Sequence, residues 1–423
     1  MREMIWRKMA VVAFTLAIQI FALCLNVDCS ERDFQQQSTD EQSIVILISF
    51  DGMRWDYPEI TDTPNFDFVI KSGVRAQALI PCFPIKTFPN HYTIVTGLYP
   101  ENHGIVANNM YDSEMDAKFK ISDRMAVQDP RWWGGEPIWV TAEKAGLTTA
   151  AFFWLGTEAK IQGRQPTYWY PYDGRIPNEA RIDQLLNWLD LPKPHRPALL
   201  MAYFSVLDDV GHDYGPNSPE IAQAIAYVDS LLGRLLQGLE ARALLNKVNL
   251  ILVSDHGMAE VSPERAIFLE DYIDLATVQV IDWSPVLALN PKPGMLETVY
   301  NRLLHAHPHL QVYRKETIPA RLHYRNHPRI PALIGVADEG WTITTHQALR
   351  NKPSKLKGGD HGYDKSLPSM GGIFIARGPA FRSNLKVDAI ENIHIYNLLA
   401  HILDIEPAPN DGRLQAFQMI LKK

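Results

Sequence analysis

From Ser43 onward the chain alternates between short apolar runs and longer stretches of helical spacing. Ile44–Phe50 is apolar except for Ser49 and rich in β-branched residues. Such a run, with no polar-out alternation, predicts a strand buried on both faces of a parallel sheet. Similar runs recur at 198–206, 248–254 and 372–376. Between them, 182–189 and 221–239 carry apolar residues at the three- and four-residue spacing of an amphipathic helix. This order predicts an α/β fold with a doubly wound, mainly parallel sheet. The stretch at about 265–345 breaks the pattern. Its short strand-like pieces (279–281, 286–289, 311–314) and one helix near 296–304 predict a small inserted α+β subdomain.

The N-terminus follows a different rule. Arg2, Arg7 and Lys8 precede an apolar run at 9–25, broken only by Thr15 and Gln19, and polar sequence starts at Ser30. That pattern predicts a signal peptide at 1–29, cleaved after Cys24 or Cys29, and hence an exported, periplasmic or secreted protein. The alternative is an uncleaved membrane anchor. Residues 30–42, rich in Gln, Ser and Asp, read as a flexible linker. The only cysteines are Cys24, Cys29 and Cys82, so cleavage that removes the first two leaves Cys82 alone and no intrachain disulfide. With 46% hydrophobic residues, the chain can bury a large core without one. A net charge of −7 argues against a general nucleic-acid binder and against duplex binding.

Open α/β sheets gather chemistry at the carboxyl ends of their strands. Here the 44–50 run ends at Asp51, the 198–206 run leads to Asp208 and His212, and the 248–254 run ends at Asp255 and His256. Asp360 and His361, between glycines, precede the 372–376 run. A single strand-terminal Asp is most often a turn or cap residue. Four such sites at matching positions point instead to metal, and imidazole with carboxylate suits zinc. Asp208 and His212, four apart, share one face of a helical turn. Thr87 stands just ahead of Pro89, which marks a helix start when proline takes the first position. A hydroxyl there faces free backbone N–H groups suited to a phosphate, although a capping role alone accounts for a threonine at that place.

The segments Phe50-Asp51-Gly52, Lys86-Thr87-Phe88-Pro89-Asn90-His91, Thr96 through Gly104, Asp208 through His212, Ser254-Asp255-His256-Gly257-Met258 and Asp360-His361-Gly362 closely resemble the nucleotide pyrophosphatase/phosphodiesterase family of the alkaline phosphatase superfamily. The similarity runs in order from about 43 to 409. It implies an alkaline-phosphatase-like fold, with 43–415 as the catalytic domain and a compact bacterial-type organisation. It also implies two zinc ions per chain, one held by Asp208, His212 and His361, the other by Asp51, Asp255, His256 and the Thr87 hydroxyl. Thr87 would be the covalent nucleophile and Asn108 a ligand of a phosphoryl oxygen. Phe88, Trp154, Tyr172 and Tyr203 would line the nucleotide pocket, with Glu158 nearby. The implied reaction is hydrolysis of nucleotide phosphodiester and pyrophosphate bonds to nucleoside 5′-monophosphates. Rival readings are the same chemistry on a choline-phospholipid, a phosphomonoesterase, and a non-catalytic exported binding protein. His305, His307 and His309 lack a suitably spaced carboxylate and are not expected to form a third metal site. His91 and His103 are expected to be structural.

Overall fold

A computed structural model describes residues 42–351 and 356–422. The expected signal segment and nearly all of the expected linker lie outside the described residues. Ile44–Phe50 is a strand, every residue of which is buried. It sits inside an eight-stranded sheet ordered Leu385–Val387, Val74–Ala76, Phe374–Arg377, Val248–Val253, Ile44–Phe50, Leu199–Phe204, Thr149–Phe152, Tyr168–Tyr170. All neighbours pair in parallel except Phe374–Arg377, which runs antiparallel to both its partners.

The pleat explains why the run lacks polar alternation. Val45 and Leu47 pack into the core on one face, and Ile46, Ile48 and Phe50 into the core on the other. Asn178–Leu189 and Pro219–Ala241 cover the second face through Ile182, Leu185, Ile225, Val228 and Leu235. Thr87–Thr96, Ile138–Lys144 and Ile395–Leu403 cover the first through Tyr92, Ile94, Trp139 and Leu398. Each fully buried aliphatic side chain contributes roughly 1.5–3 kcal/mol, so both faces of the strand drive folding.

The strands at 149–152 and 168–170 were not expected from the pattern. Tyr168–Tyr170 is an edge strand whose residues are only partly buried. The other expected strands end slightly earlier or later than their apolar runs. The 198–206 run stops as a strand at Phe204, because Val206–Tyr214 is already helical.

Within 265–345 the chain builds a separate four-stranded antiparallel sheet, ordered Val278–Asp282, Val286–Pro291, Leu333–Ala337, Leu310–Arg314. The Leu296–Leu303 helix packs its Val299 and Leu303 against that sheet, in a core that also takes in Ile85, Ala259, Tyr363 and Met370. Among the described residues no helix is long and apolar enough to cross a membrane.

Candidate metal centre

The carboxyl ends of three adjacent parallel strands supply most of the site. Asp51 follows the Ile44–Phe50 strand, and its N–H donates to Phe204 O at 2.9 Å, which ties it to the neighbouring strand. Gly52 then turns with φ +69°, and a Cβ there would stand 2.9 Å from the Asp208 backbone. Glycine is needed for both reasons. Asp208 and His212 lie one turn apart on the Val206–Tyr214 helix. Asp255 and His256 sit where the chain bends after Val248–Val253. Ser254 fixes that bend by donating its hydroxyl to Met53 O at 2.6 Å and accepting from Ile373 N at 2.9 Å. His361 arrives from a glycine-flanked segment whose strand, Gly358–Asp360, pairs with Ala259–Val261.

Three histidines are oriented alike. His212 Nδ1 bonds Gly359 O at 2.8 Å, His256 Nδ1 bonds Gly257 O at 2.9 Å, and His361 Nδ1 bonds Ile85 O at 2.8 Å. A carbonyl only accepts, so each Nδ1 carries a proton and each Nε2 is the metal-facing atom, with a lone pair whenever the ring is neutral. For His256 burial acts downward but is outweighed by Asp255, so its pKa is raised. The Nε2 atoms face carboxylate oxygens. His256 Nε2 is 3.0 Å from Asp255 Oδ2 and 3.5 Å from Asp51 Oδ1. Asp208 Oδ1 lies 3.4 Å from His212 Nε2 and 3.6 Å from His361 Nε2.

Asp51 Oδ1, Asp208 Oδ1, Asp255 Oδ2 and His256 Nε2 are all buried without a hydrogen-bond partner. Buried polar atoms are almost always paired, and acceptors facing acceptors need a cation between them. Burial, reinforced by the charges of Asp255 and Asp208, holds the Asp51 carboxyl well above the usual range. Asp208 is raised too, chiefly by burial. For Asp255 burial acts upward but is outweighed by the His256 and His91 imidazoles, so its carboxyl is held low. Burial and the neighbouring His256 push His361 well down, leaving it neutral, the form that binds metal. The donor set therefore fits divalent metal. Asp208, His212 and His361 can be joined by one ion, and the Asp51, Asp208 and His256 atoms also converge.

His91 stands beside this cluster as well, grouped with Asp51 and Asp255. Both its nitrogens are occupied, Nε2 by Ser49 Oγ at 2.7 Å and Nδ1 by Thr87 O at 2.9 Å, with Asp255 Oδ2 3.3 Å from Nδ1. It bridges the cluster to the Thr87–Thr96 helix. That helix starts two residues before the expected place, with Thr87 first and Pro89 third. Proline is tolerated there because the first turn's N–H groups have no intrahelical acceptor. Asn108 Oδ1 accepts from Phe88 N at 3.0 Å, which sets its side chain at the same helix end.

Of the expected pocket residues, Tyr172 is 41% exposed and Phe88 is half-buried. Tyr203 is buried; its hydroxyl donates to Asp51 Oδ2 at 2.6 Å and its ring lies 6.4 Å from Tyr172. Trp154 is not brought to the surface: it is 1% exposed and packs edge-on against His91 at 5.5 Å. Glu158 pairs with Arg124 and accepts from Tyr172 N at 3.1 Å.

The sequence pattern did not reveal the Tyr203–Asp51 bond, the Ser254 brace or the anchoring of Lys86. Lys86 donates to Ser284 O at 3.0 Å and His361 O at 3.1 Å. Its place next to Thr87 was the one available signal. His103 is fully enclosed, donating through Nε2 to Thr93 Oγ1 at 3.0 Å and accepting from Ile105 N. His309 pairs with Asp338 at 3.0 Å, and His305, His307 and His309 belong to none of the metal-type clusters among the described residues.

The family described as type I phosphodiesterase/nucleotide pyrophosphatase matches residues 45–364. Human ectonucleotide pyrophosphatase/phosphodiesterase family member 5 is 42% identical over 98% of this chain and 83% of its own length. A venom phosphodiesterase of Crotalus durissus collilineatus is 42% identical over 90% of this chain but only 47% of its own length. The mouse protein named bis(5′-adenosyl)-triphosphatase is 42% identical over 89% of this chain and 81% of its own. Among solved structures, an inactive threonine-to-alanine variant of murine family member 5 in complex with AMP superposes with a TM-score of 0.86 at 40% identity. It covers 90% of this chain and 100% of that one.

Proposed function

The chain belongs to the type I phosphodiesterase/nucleotide pyrophosphatase family, and from that premise we propose that it is a two-zinc hydrolase releasing nucleoside 5′-monophosphates through a covalent threonine intermediate. One observation carries this reading: unpartnered carboxylate oxygens and an imidazole nitrogen converge at strand ends, one histidine away from a threonine on the first turn of a helix.

Asp208, His212 and His361 would hold one ion, and Asp51, Asp255 and His256 the other, with Thr87 as the second ion's further ligand. When bound, the zinc ions supply Lewis acidity that lowers the pKa of the attacking hydroxyl and stabilises charge on the leaving oxygen. Thr87 Oγ gives up its proton to solvent water and attacks phosphorus in line. A P–O bond to Thr87 forms as the opposite P–O bond breaks, its electron pair leaving with the departing oxygen. Asn108, held through its Oδ1 by Phe88 N, can turn its Nδ2–H toward a non-bridging oxygen, alongside the free N–H groups of the helix end. Water then cleaves the phosphothreonine ester and frees the 5′-monophosphate. Phe88 and Tyr172 offer faces on which a base can stack, and Tyr203 sets Asp51 from below. A relative whose inactive threonine-to-alanine variant was solved in complex with AMP supports a nucleotide as the ligand.

We further read 1–29 as an export signal, 30–42 as a linker and 43–415 as the catalytic domain, with 265–345 inserted into it. The separate four-stranded sheet of that stretch supports the last point.

The test is a 4-nitrophenyl ester of a nucleoside 5′-monophosphate against 4-nitrophenyl phosphate, with zinc-loaded and metal-free protein. The diester should react at least about a hundredfold faster, or about 2.7 kcal/mol in barrier, with about two zinc ions per chain. Full turnover by verified metal-free protein, or a preference for the monoester, would overturn the proposal.

A further inference from the structure

Lys86 joins segments that lie far apart in the sequence. It is buried, and in extended conformation it leads directly into Thr87 and the helix that Thr87 opens. Its Nζ donates to Ser284 O at 3.0 Å and to His361 O at 3.1 Å. Ser284 belongs to the turn between Val278–Asp282 and Val286–Pro291 of the second sheet. His361 is one of the metal-type ligands. Both acceptors are main-chain carbonyls. A lysine amine taken out of water is costly unless the bonds it gains offset the loss, and here those bonds go to the backbone on either side of the site.

His361 is held to the same segment a second time, because its Nδ1 donates to Ile85 O at 2.8 Å. A ring tied by one bond can pivot about it. The bond from Lys86 to the carbonyl of His361 fixes the main chain as well, so the consecutive residues Ile85 and Lys86 grip one ligand at its ring and at its backbone. The packing there leaves little room. Gly362 has φ +130°, and a Cβ on it would stand 2.8 Å from Pro285 Cδ and 3.1 Å from Lys86 Cε. On the helix side Lys86 O accepts from Asn90 N and from Asn90 Nδ2, each at 3.1 Å. The residue is thereby anchored at both its backbone and the tip of its side chain.

We propose that Lys86 is a positioning residue for the hydrolysis: its amine holds Thr87 and His361 at a fixed spacing and braces both against the Ser284 turn of the second sheet. The proposal rests on the two-zinc reading, in which Thr87 Oγ attacks phosphorus and His361 holds one of the ions. Lys86 acts through the residues it joins. Their spacing matters because attack requires nucleophile, phosphorus and ion in one alignment, and a misplacement of about 1 Å can cost about a hundredfold in rate. The side-chain bonds of Lys86 run to Ser284 and His361 and not to Phe88 or Tyr172. Their loss should therefore fall on kcat and not on nucleotide binding.

The experiment uses Lys86→Met, which keeps most of the stem and removes the amine. Wild type and variant are loaded with zinc to equal content, and AMP is titrated into each to give its affinity and the number of competent sites. Turnover of the 4-nitrophenyl ester of AMP is then expressed per AMP-binding site, so that a loss of folded protein lowers the site count and leaves kcat per site unmoved. In Lys86→Met kcat per site should fall at least about tenfold while the Kd for AMP stays within about threefold of wild type. A smaller fall in kcat per site, or a weakening of AMP beyond that range, overturns the proposal. If the methionine variant does not fold, Lys86→Gln, one bond too short to reach both carbonyls, is held to the same criteria. Wild type that cleaves the ester beside variants that keep their kcat removes the role of Lys86 and leaves the hydrolase reading standing. Failure of zinc-loaded wild type to cleave the ester overturns both.

Discussion

Thr87 and Tyr203 show how much one hydroxyl can decide. Thr87 is the first residue of its helix, and its carbonyl already accepts from His91 Nδ1. The backbone there is thus fixed whatever the side chain does. Thr87→Ala should keep fold and metal content while lowering turnover of a nucleotide diester by at least about a thousandfold. Thr87→Ser should recover part of it, because the hydroxyl remains. Steady-state kinetics with metal analysis checks this, and an alanine variant within about tenfold of wild type would reduce Thr87 to a cap. Tyr203 acts one bond further out. Its hydroxyl donates to Asp51 Oδ2, and burial together with Asp51 raises its own pKa so that it stays a donor. Tyr203→Phe should weaken zinc binding by about 10–100-fold, the usual effect of losing a bond that orients a ligand. A competitive zinc chelator titration measures it. Unchanged affinity would mean that Asp51 is held by its backbone alone.

At the scale of elements, the centre depends on where strands stop and on what can approach them. Gly52 joins the Ile44–Phe50 strand to the rest of the site in the left-handed region, its missing Cβ leaving room for the Asp208 backbone. Gly52→Ala therefore meets strain and a clash with the same helix that carries two metal-type ligands. The expected result is a loss of about 1–3 kcal/mol in unfolding free energy, with lower zinc content per folded chain. Urea unfolding and metal analysis of the same preparation report the two effects separately. Loss of stability with full zinc content would show that the Val206–Tyr214 helix moves as a body and keeps its ligands together. The cis Phe83-Pro84 bond and the early start of the Thr87–Thr96 helix lie on the other wall. There Asn90 Nδ2 donates to Cys82 O, Pro84 O and Lys86 O, binding the approach segment to the helix's first turn.

Across the whole molecule, acid stability is set by histidines that the fold keeps neutral. Burial, the largest cause, lowers His103 to about 3. Burial and the nearby Arg329 lower His327 to about 4. Both folded values lie below the unfolded value of about 6.5, so between them the unfolded chain binds more protons. The stabilisation is complete above pH ~6.5 and is lost as pH falls toward 4 and then 3, by up to about 1.4 kcal/mol per pH unit for each group. His327, the less enclosed of the two, gives the cleaner test. His327→Gln should make the unfolding free energy fall less steeply than wild type between about pH 6.5 and 4.5, with other titrating groups cancelling in the comparison. Parallel profiles would show that His327 is not held neutral by the fold.

Much of this was legible in the sequence. The apolar runs determined the strands that end at Asp51 and Asp255, because a strand buried on both faces must be apolar throughout, and the first polar residue beyond its carboxyl end lies at the rim of the sheet. The four-residue spacing of Asp208 and His212 determined their shared helix face. The strands at 149–152 and 168–170 escaped for two reasons. The first lies inside the short apolar run 150–155, which by itself does not tell a buried strand from a buried helix. The second is a short, partly exposed edge strand that needs no apolar signature. The placing of Tyr203 and Lys86 escaped for a different reason. Tyr203 is 152 residues from Asp51, and Lys86 is 275 from His361. Their partners are fixed by strand register, Ser49 beside Tyr203 and Phe50 beside Phe204, and by which loops the second sheet presses against the first. Local pattern records which residues must be buried, since burial acts on each residue in turn. Which buried donors and acceptors meet is decided only when the whole chain has packed, and so the ligand types belonged to the sequence and their convergence to the tertiary structure.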